Sequence, residues 1–117
     1  MNRQEVLWES PGIFMQEGQT ATLKESILDQ KFGIILVFFP YSDGQGKDYI
    51  WESHFVPKKM VELHSGKGFN FPLYADGNGA VLAEKYLYIT DTKITGNASN
   101  STNANNKKWV LRYVIGV

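Results

Sequence analysis

Two Glu-x-His pairs bring histidine close to a carboxylate in this sequence. Glu52 and His54 form one pair, and Glu62 and His64 form the other. Residues two apart in a β-strand share a face, so each pair could offer two ligands to a divalent metal. Because these are the only 2 histidines in the chain, we favour solvated or hydrogen-bonded side chains and predict no metal site.

Three glycine-rich segments resemble fragments of ligand-binding loops. SGKG at 65–68 lacks both the preceding Gly and the following Ser or Thr that a phosphate-binding loop requires. DGQGKD at 43–48 and DGNG at 76–79 lack the carboxylate at the twelfth position of an EF-hand calcium loop. Asp-Gly and Asn-Gly are common turn dipeptides, so we predict turns at these places.

No residue pattern indicates catalysis. There is no Gly-x-Ser-x-Gly elbow, no local Ser/His/Asp arrangement and no Cys nucleophile. Asp and Glu are scattered, and nothing distinguishes a pair of them for glycoside cleavage. We therefore predict that the protein is not an enzyme, with no catalytic residues and no cofactor.

Aromatic side chains are the most suggestive candidates for binding. Exposed Trp and Tyr can stack against sugars or anchor a protein interface, although most aromatics in a chain like this fill a β core. Tyr41 and Tyr74 lie next to predicted turns. We therefore expect these two, before the other aromatics, to be exposed, and they are our candidates for contact with a ligand or partner.

Short strands dominate the expected secondary structure. IILVFF at 34–39 is β-branched and aromatic, and it is too short for a typical helix. DYIWESHFV at 48–56 follows a turn-rich segment, as in a hairpin with a longer loop. FNFPLYA at 69–75 alternates but contains Pro72, which is typical of an edge strand or a bulge. Further β patterns occur at 83–95 and 109–117.

The remaining segments are less regular. Residues 12–23 predict two short strands around Gly18, and residues 22–32 predict a strand end and a loop rather than a helical turn capped by Thr22. Residues 57–68 favour neither helix nor strand. We predict an all-β fold of seven to eight short strands: an antiparallel, jelly-roll-like β-sandwich forming a single domain over residues 1–117.

The polar tract NASNSTNANNKK at 97–108 precedes one of the most hydrophobic segments of the chain. Such a tract buries too little apolar surface to offset the entropy of ordering it, so we predict a long surface loop before the last strand. Loops on a rigid scaffold often carry recognition. The predicted core comprises Ile34, Leu36, Phe38, Trp51, Phe55, Leu87, Ile89, Trp109, Leu111, Tyr113 and Ile115.

Composition narrows the classes of partner. The 117 residues include 12 basic and 12 acidic side chains, a balance that argues against nucleic acid as a partner. The sequence contains neither a signal-peptide pattern nor an apolar run long enough for a membrane-spanning helix. We expect a soluble protein made in a cytoplasm, not exported by a classical signal and not inserted into a membrane.

Five blocks together resemble a family of small tail or baseplate proteins from long-tailed phages of Gram-positive bacteria. They are LWES (7–10), GQTATLKESILDQKFGIILVF (18–38), HFVPKKMVELHSGKG (54–68), KYLYITDTKITGN (85–97) and WVLRYVIGV (109–117). They cover more than half of the chain and occur in the order seen in the family. The polar tract falls where such proteins differ in length and composition.

The resemblance implies a non-catalytic structural protein of the virion, at the tail tip or baseplate, made in the host bacterial cytoplasm. It implies a β-sandwich related to the shoulder region of lactococcal phage receptor-binding proteins, with other tail or baseplate proteins as partners and a contribution to host adsorption. It supplies no site residues. An alternative from another class is a carbohydrate-binding module that recognises bacterial cell-wall polysaccharide or teichoic acid. The oligomeric state stays open.

Overall fold

A computed structural model of the protein describes residues 4–74 and 82–117, and most of these residues lie in strands. This part of the chain contains nine strands, more than the seven to eight predicted. Three of the nine are only two or three residues long. The strands are β1 (Glu5–Ile13), β2 (Thr20–Thr22), β3 (Gly33–Ser42), β4 (Gln45–Gly46), β5 (Glu52–Pro57), β6 (Gly68–Tyr74), β7 (Leu82–Ile89), β8 (Lys93–Thr95) and β9 (Trp109–Gly116). The turn predicted around 76–79 lies outside the described residues.

The helices are short. Helix α1 (Lys58–Leu63) follows Pro57 in the segment whose sequence favoured neither helix nor strand, and α2 (Ser99–Thr102) lies in the polar tract. Two 3-10 turns cover Ile27–Asp29 and Asn106–Lys108. Among the described residues, no helix is long and apolar enough to cross a membrane.

The strands form two antiparallel sheets that curl into a half-barrel, so the predicted all-β class is confirmed. In the first sheet, β9 lies between β1 and β3, and the far side of β3 pairs with both β5 and β4. The second sheet has the order β2-β8-β7-β6. Strand β6 is therefore an edge strand, as its Pro72 predicted.

The hydrophobic core fills the space between the two sheets. Leu36, Phe38 and Leu111 of the first sheet belong to the same buried cluster as Leu87 and Ile89 of the second. Seven residues of the predicted core are buried: Ile34, Leu36, Phe38, Leu87, Ile89, Trp109 and Leu111. Apolar side chains at alternate positions of facing strands remove their surface from water together, which stabilises the pairing of the sheets.

A bulge in β9 changes which alternate residues of the strand face the core. Val37 pairs with Tyr113 and Phe38 pairs with Leu111, so Arg112 has no partner across the strand. Leu111 points inward before this extra residue, and Val114 points inward after it. The prediction that Tyr113 and Ile115 belong to the core is wrong, because one inserted residue exchanges the two faces of a strand.

The face of β5 that packs on the core is the opposite of the predicted one. Val56 is buried, whereas Phe55 is 53% exposed and Trp51, which precedes the strand, is 60% exposed. Ile50 has a positive φ of 51°, so the extended run does not reach back to residue 48. The prediction that Trp51 and Phe55 fill the core is therefore wrong.

Side chains bridge the gap between β6 and the first sheet. Glu52 Oε2 accepts a hydrogen bond from the Tyr74 N–H at 2.9 Å, and Trp109 Nε1–H donates to the Tyr74 carbonyl at 3.0 Å. His54 Nε2 lies 2.9 Å from the Pro72 carbonyl. These contacts satisfy backbone groups that an open sheet edge would leave to solvent.

The bulge predicts unequal effects for two aliphatic residues of β9. We expect Leu111→Ala to lower the free energy of unfolding by about 2–5 kcal/mol, because it leaves a cavity in the core. Ile115→Ala, outside the core, should lower it by only about 1 kcal/mol. Urea denaturation of both variants measures the difference. Equal losses would contradict the bulge, since strict alternation places both side chains inward.

Candidate functional site

A pocket of about 460 Å³ opens beside Tyr41, one of the two predicted contact residues. We call it the lysine-rimmed pocket. Its lining comes from the end of β3, the turn after β1 and the polar tract: Phe14, Gln16, Tyr41, Ser101, Ala104, Lys107 and Lys108. The rings of Phe14 and Tyr41 meet edge to face, with 4.8 Å between their centroids. The pocket therefore combines an aromatic wall with polar and cationic groups.

The polar tract forms part of this pocket because a buried amide holds it in place. Asn100 is completely buried. Its Oδ1 accepts a hydrogen bond from the Tyr86 N–H at 2.8 Å, and its Nδ2 donates to the carbonyls of Tyr86 at 2.9 Å and Met15 at 2.7 Å. The two contacts with Tyr86 match those that a neighbouring strand would make with the backbone of β7.

A second asparagine extends this pairing along β7. Asn106 Oδ1 accepts a hydrogen bond from the Glu84 N–H at 2.8 Å, and its Nδ2 donates to the Ser99 carbonyl at 3.0 Å. Strand β8 pairs with β7 only at Tyr88 and Ile89. The two asparagines therefore occupy the stretch of β7 that β8 leaves uncovered.

The tract is thus more ordered than its composition predicted. Most of it lies at the surface, but it contains α2, a 3-10 turn and two buried side chains. The expectation that such a tract cannot offset the entropy of its own ordering is corrected on this point. Hydrogen bonds to backbone groups, rather than apolar burial, offset the entropy of ordering.

Lys85 lies inside the half-barrel behind the pocket. Its side chain has no exposed surface, and its Nζ donates to the carbonyls of Phe14 at 3.1 Å and Asn100 at 3.0 Å. Burial lowers the pKa of Lys85 from 10.5 to about 7, because removal from water disfavours the charged amine. The lysine connects a wall of the pocket to the tract that forms its rim.

The turn that carries Phe14 is also fixed by the tract. Met15 has a positive φ of 59°, an uncommon conformation for a residue other than Gly. Its side chain is buried, and its carbonyl accepts hydrogen bonds from Asn97 N–H and Asn100 Nδ2. An added Cβ on Gly96 would lie only 2.0 Å from that carbonyl oxygen. Only Gly allows the two segments to approach this closely.

The rim of the pocket is cationic. Lys107 and Lys108 are exposed, and neither forms an ion pair with a carboxylate of the described residues. No carboxylate or histidine appears among the lining residues in the described part of the chain. The arrangement can hold an anion on the lysines and a flat apolar surface against the aromatic wall.

Tyr74, the other predicted contact residue, is 46% exposed at the end of β6, whereas Tyr41 is half-buried, so the expected exposure is confirmed for Tyr74 and wrong for Tyr41. Tyr74 does not line the lysine-rimmed pocket, so the structure does not bring Tyr41 and Tyr74 together there. Its backbone is held by Glu52 and Trp109. A contact role for either tyrosine stays a prediction.

The outer face of the five-stranded sheet is a second candidate surface. It carries an apolar groove of about 370 Å³, in which Asp48 accepts a hydrogen bond from Trp51 Nε1 at 2.8 Å. Phe55 and Ile115 flank Ile35 in neighbouring strands. We define the outer face as Val6, Ile35, Val37, Phe39, Trp51, Phe55, Tyr113 and Ile115. Large exposed apolar patches are typical of interfaces.

The ligand patterns considered in the sequence have other roles in the structure. Glu62 lies in α1 and pairs with Lys59, so the second Glu-x-His pair is not on a strand. No group of three potential metal ligands occurs within residues 4–74 and 82–117. Gly66 and Gly44 have positive φ values of 79° and 78°. Both predicted turns in the described residues are confirmed.

Neither the known protein-family models nor the curated proteins include a match to this chain.

Loss of the Asn100 amide should loosen the polar tract. We expect Asn100→Leu to lower the free energy of unfolding by about 2 kcal/mol or more, because it leaves the N–H and carbonyl of Tyr86 without the Asn100 amide and removes one of the two donors to the Met15 carbonyl. Asn105→Ala is the control, since that side chain makes no hydrogen bond to another of the described residues, and it should change stability by less than about 0.5 kcal/mol. Urea denaturation tests both variants, and equal effects would contradict the anchoring role.

The lowered pKa of Lys85 predicts a dependence of stability on pH. From about pH 7 to 10.5, the unfolded chain keeps a proton on Lys85 that the native chain has released, so the free energy of unfolding should rise with pH. Below this window both states hold the proton, and Lys85 adds no slope. Each unit of difference between the folded and unfolded pKa of Lys85 corresponds to about 1.4 kcal/mol in the free energy of unfolding. Urea denaturation across this range measures the slope.

Lys85→Met should remove most of this slope, whereas Lys93→Met, at an exposed position, should keep it. An unchanged slope in Lys85→Met would show that other groups cause the pH dependence.

Proposed function

We propose that this chain is a non-catalytic structural subunit of a phage virion, at the tail tip or baseplate, which docks on neighbouring tail proteins. The apolar outer face is the observation that carries the proposal. The resemblance of the five sequence blocks to small phage tail proteins supports the assignment to a virion. On this proposal the chain is made in the host cytoplasm, assembles into the tail and contributes to host adsorption.

The outer face has the composition of a docking surface. Its groove is lined mainly by aromatic and aliphatic side chains, with Asp48 as a single acidic group in the described lining. The exposed rings of Trp51 and Phe55 are suited to filling pockets on a partner, since aromatic residues contribute most of the binding energy at many interfaces. Strands β3 and β9 carry the other four residues that line the groove, while Asp48 and Trp51 lie outside the strands and are joined to each other by a hydrogen bond.

Recognition of cell-wall carbohydrate is a second candidate function. The lysine-rimmed pocket favours it, because an aromatic wall beside hydroxyl, amide and ammonium groups suits a sugar ring with polar substituents. The two functions use different residues, so both can belong to one tail subunit. Binding of the purified protein to host cell walls tests the second function directly.

Incorporation into virions tests the structural role. We expect mass spectrometry of purified particles to detect the chain, and immunogold labelling to locate it at the tail tip. We expect Phe55→Ser and Trp51→Ser to lower incorporation about tenfold or more, since central aromatic anchors at interfaces contribute 2 kcal/mol or more.

Leu63→Ser provides the matched control. Leu63 is 63% exposed, but it lies on α1 and outside the outer face, so its variant should incorporate normally. Urea denaturation shows whether each variant remains folded. Absence of the chain from mature particles would contradict the tail role. Normal incorporation of both outer-face variants would contradict docking through this face.

A further inference from the structure

We infer that the lysine-rimmed pocket binds an anionic saccharide unit, with a phosphate on Lys107 and Lys108 and a sugar ring against Tyr41 and Phe14. This inference specifies the ligand class of the second candidate function and rests on it. It adds two residues, Lys107 and Lys108, that the sequence patterns did not single out.

The size and shape of the pocket favour a small ligand. Its volume of about 460 Å³ falls within the usual range of small-molecule sites, about 300–1,000 Å³. Protein partners usually bind broad surfaces of much larger area. A concave site of this size suits one or two sugar units better than a folded protein.

The charges at the rim favour an anion. Lys107 and Lys108 are consecutive in a 3-10 turn, and both line the pocket. The chain as a whole has no net charge, so this positive rim is a local feature and not part of a broad basic surface. Lysine ammonium groups bind phosphate as point charges.

The aromatic wall specifies the part of the ligand next to the anion. Tyr41 and Phe14 meet edge to face, and together they form an apolar surface at one side of the pocket. The C–H face of a sugar ring can pack on such a surface, while its hydroxyls reach Gln16 and Ser101. A free phosphate ion would use only the lysines, so the aromatic wall distinguishes a phosphosugar from inorganic phosphate.

The pocket is held in shape before a ligand arrives. Asn100 and Asn106 fix the tract that carries the lysines, and Lys85 bonds both that tract and the backbone of Phe14. A preformed site avoids the entropy cost of ordering a loop during binding.

NMR titration of the full chain with glucose 1-phosphate tests the inference, with glucose and inorganic phosphate as comparison probes. We expect glucose 1-phosphate to bind about tenfold or more tightly than either comparison probe, with shifts at the lining residues. The double variant Lys107→Met/Lys108→Met should lose this preference for the phosphorylated sugar, and Tyr41→Leu should weaken binding of both sugars. Lys93→Met should bind like the unaltered protein.

Pull-down with Gram-positive host cell walls separates two sources of the ligand. Walls should retain the protein before, but not after, hydrofluoric acid removes their phosphate-bearing polymers. If glucose 1-phosphate binds as expected but untreated walls do not retain the protein, the ligand is a soluble phosphosugar and the wall-binding function is wrong.

Other outcomes would overturn the inference. Wall binding that survives both the acid treatment and the lysine double variant would leave carbohydrate recognition standing but exclude the anionic unit. Equal affinity for phosphate and glucose 1-phosphate, unaffected by Tyr41→Leu, would indicate ion binding without recognition of a sugar. Tighter binding of an acidic peptide would assign the site to a protein ligand. Failure of all probes and of both wall preparations would reject carbohydrate recognition together with the inference.

Discussion

The uncovered side of β7 imposes the constraint on which the pocket depends. Strand β8 pairs with β7 only near its end, at Tyr88 and Ile89, so the backbone before these residues needs other partners. Asn100 and Asn106 supply them with side-chain amides, which carry the same donor and acceptor groups as a peptide bond. The polar tract thus completes the second sheet without being a strand.

Lys85 belongs to the same arrangement. Its position on the inward face of β7 takes an amine out of water, which is costly for the charged form. Two backbone carbonyls, one from the turn after β1 and one from the tract, accept its hydrogen bonds. The lysine therefore connects three segments that are distant in sequence, and its neutral form is favoured as the pH rises above its lowered pKa.

Local patterns in the sequence predict the strands at 34–39, 69–75 and 109–117, because alternation and β-branched runs express local geometry, but they do not indicate most of β1 (Glu5–Ile13). Pro72 correctly indicates an edge strand, because proline has no N–H to donate to a second neighbouring strand. The bulge at Arg112 is not visible in such patterns, since it depends on the register of β3 and β9. Asn100 bonds Met15 across 85 positions of the chain, which no local pattern contains. For Lys85 the sequence does contain a signal, since alternation along β7 puts this residue on the same strand face as Ala83, Leu87 and Ile89, which are buried.

Strand β3 contributes residues to both candidate surfaces. Phe39 lines the groove of the outer face, and Tyr41, two residues further on, lines the lysine-rimmed pocket. Two residues of strand span about 7 Å. A partner that covers the groove as far as Phe39 therefore comes close to a ligand held at Tyr41. Because a paired strand is rigid, the groove and the pocket are held at a fixed spacing, and changes that displace β3 should disturb both surfaces together.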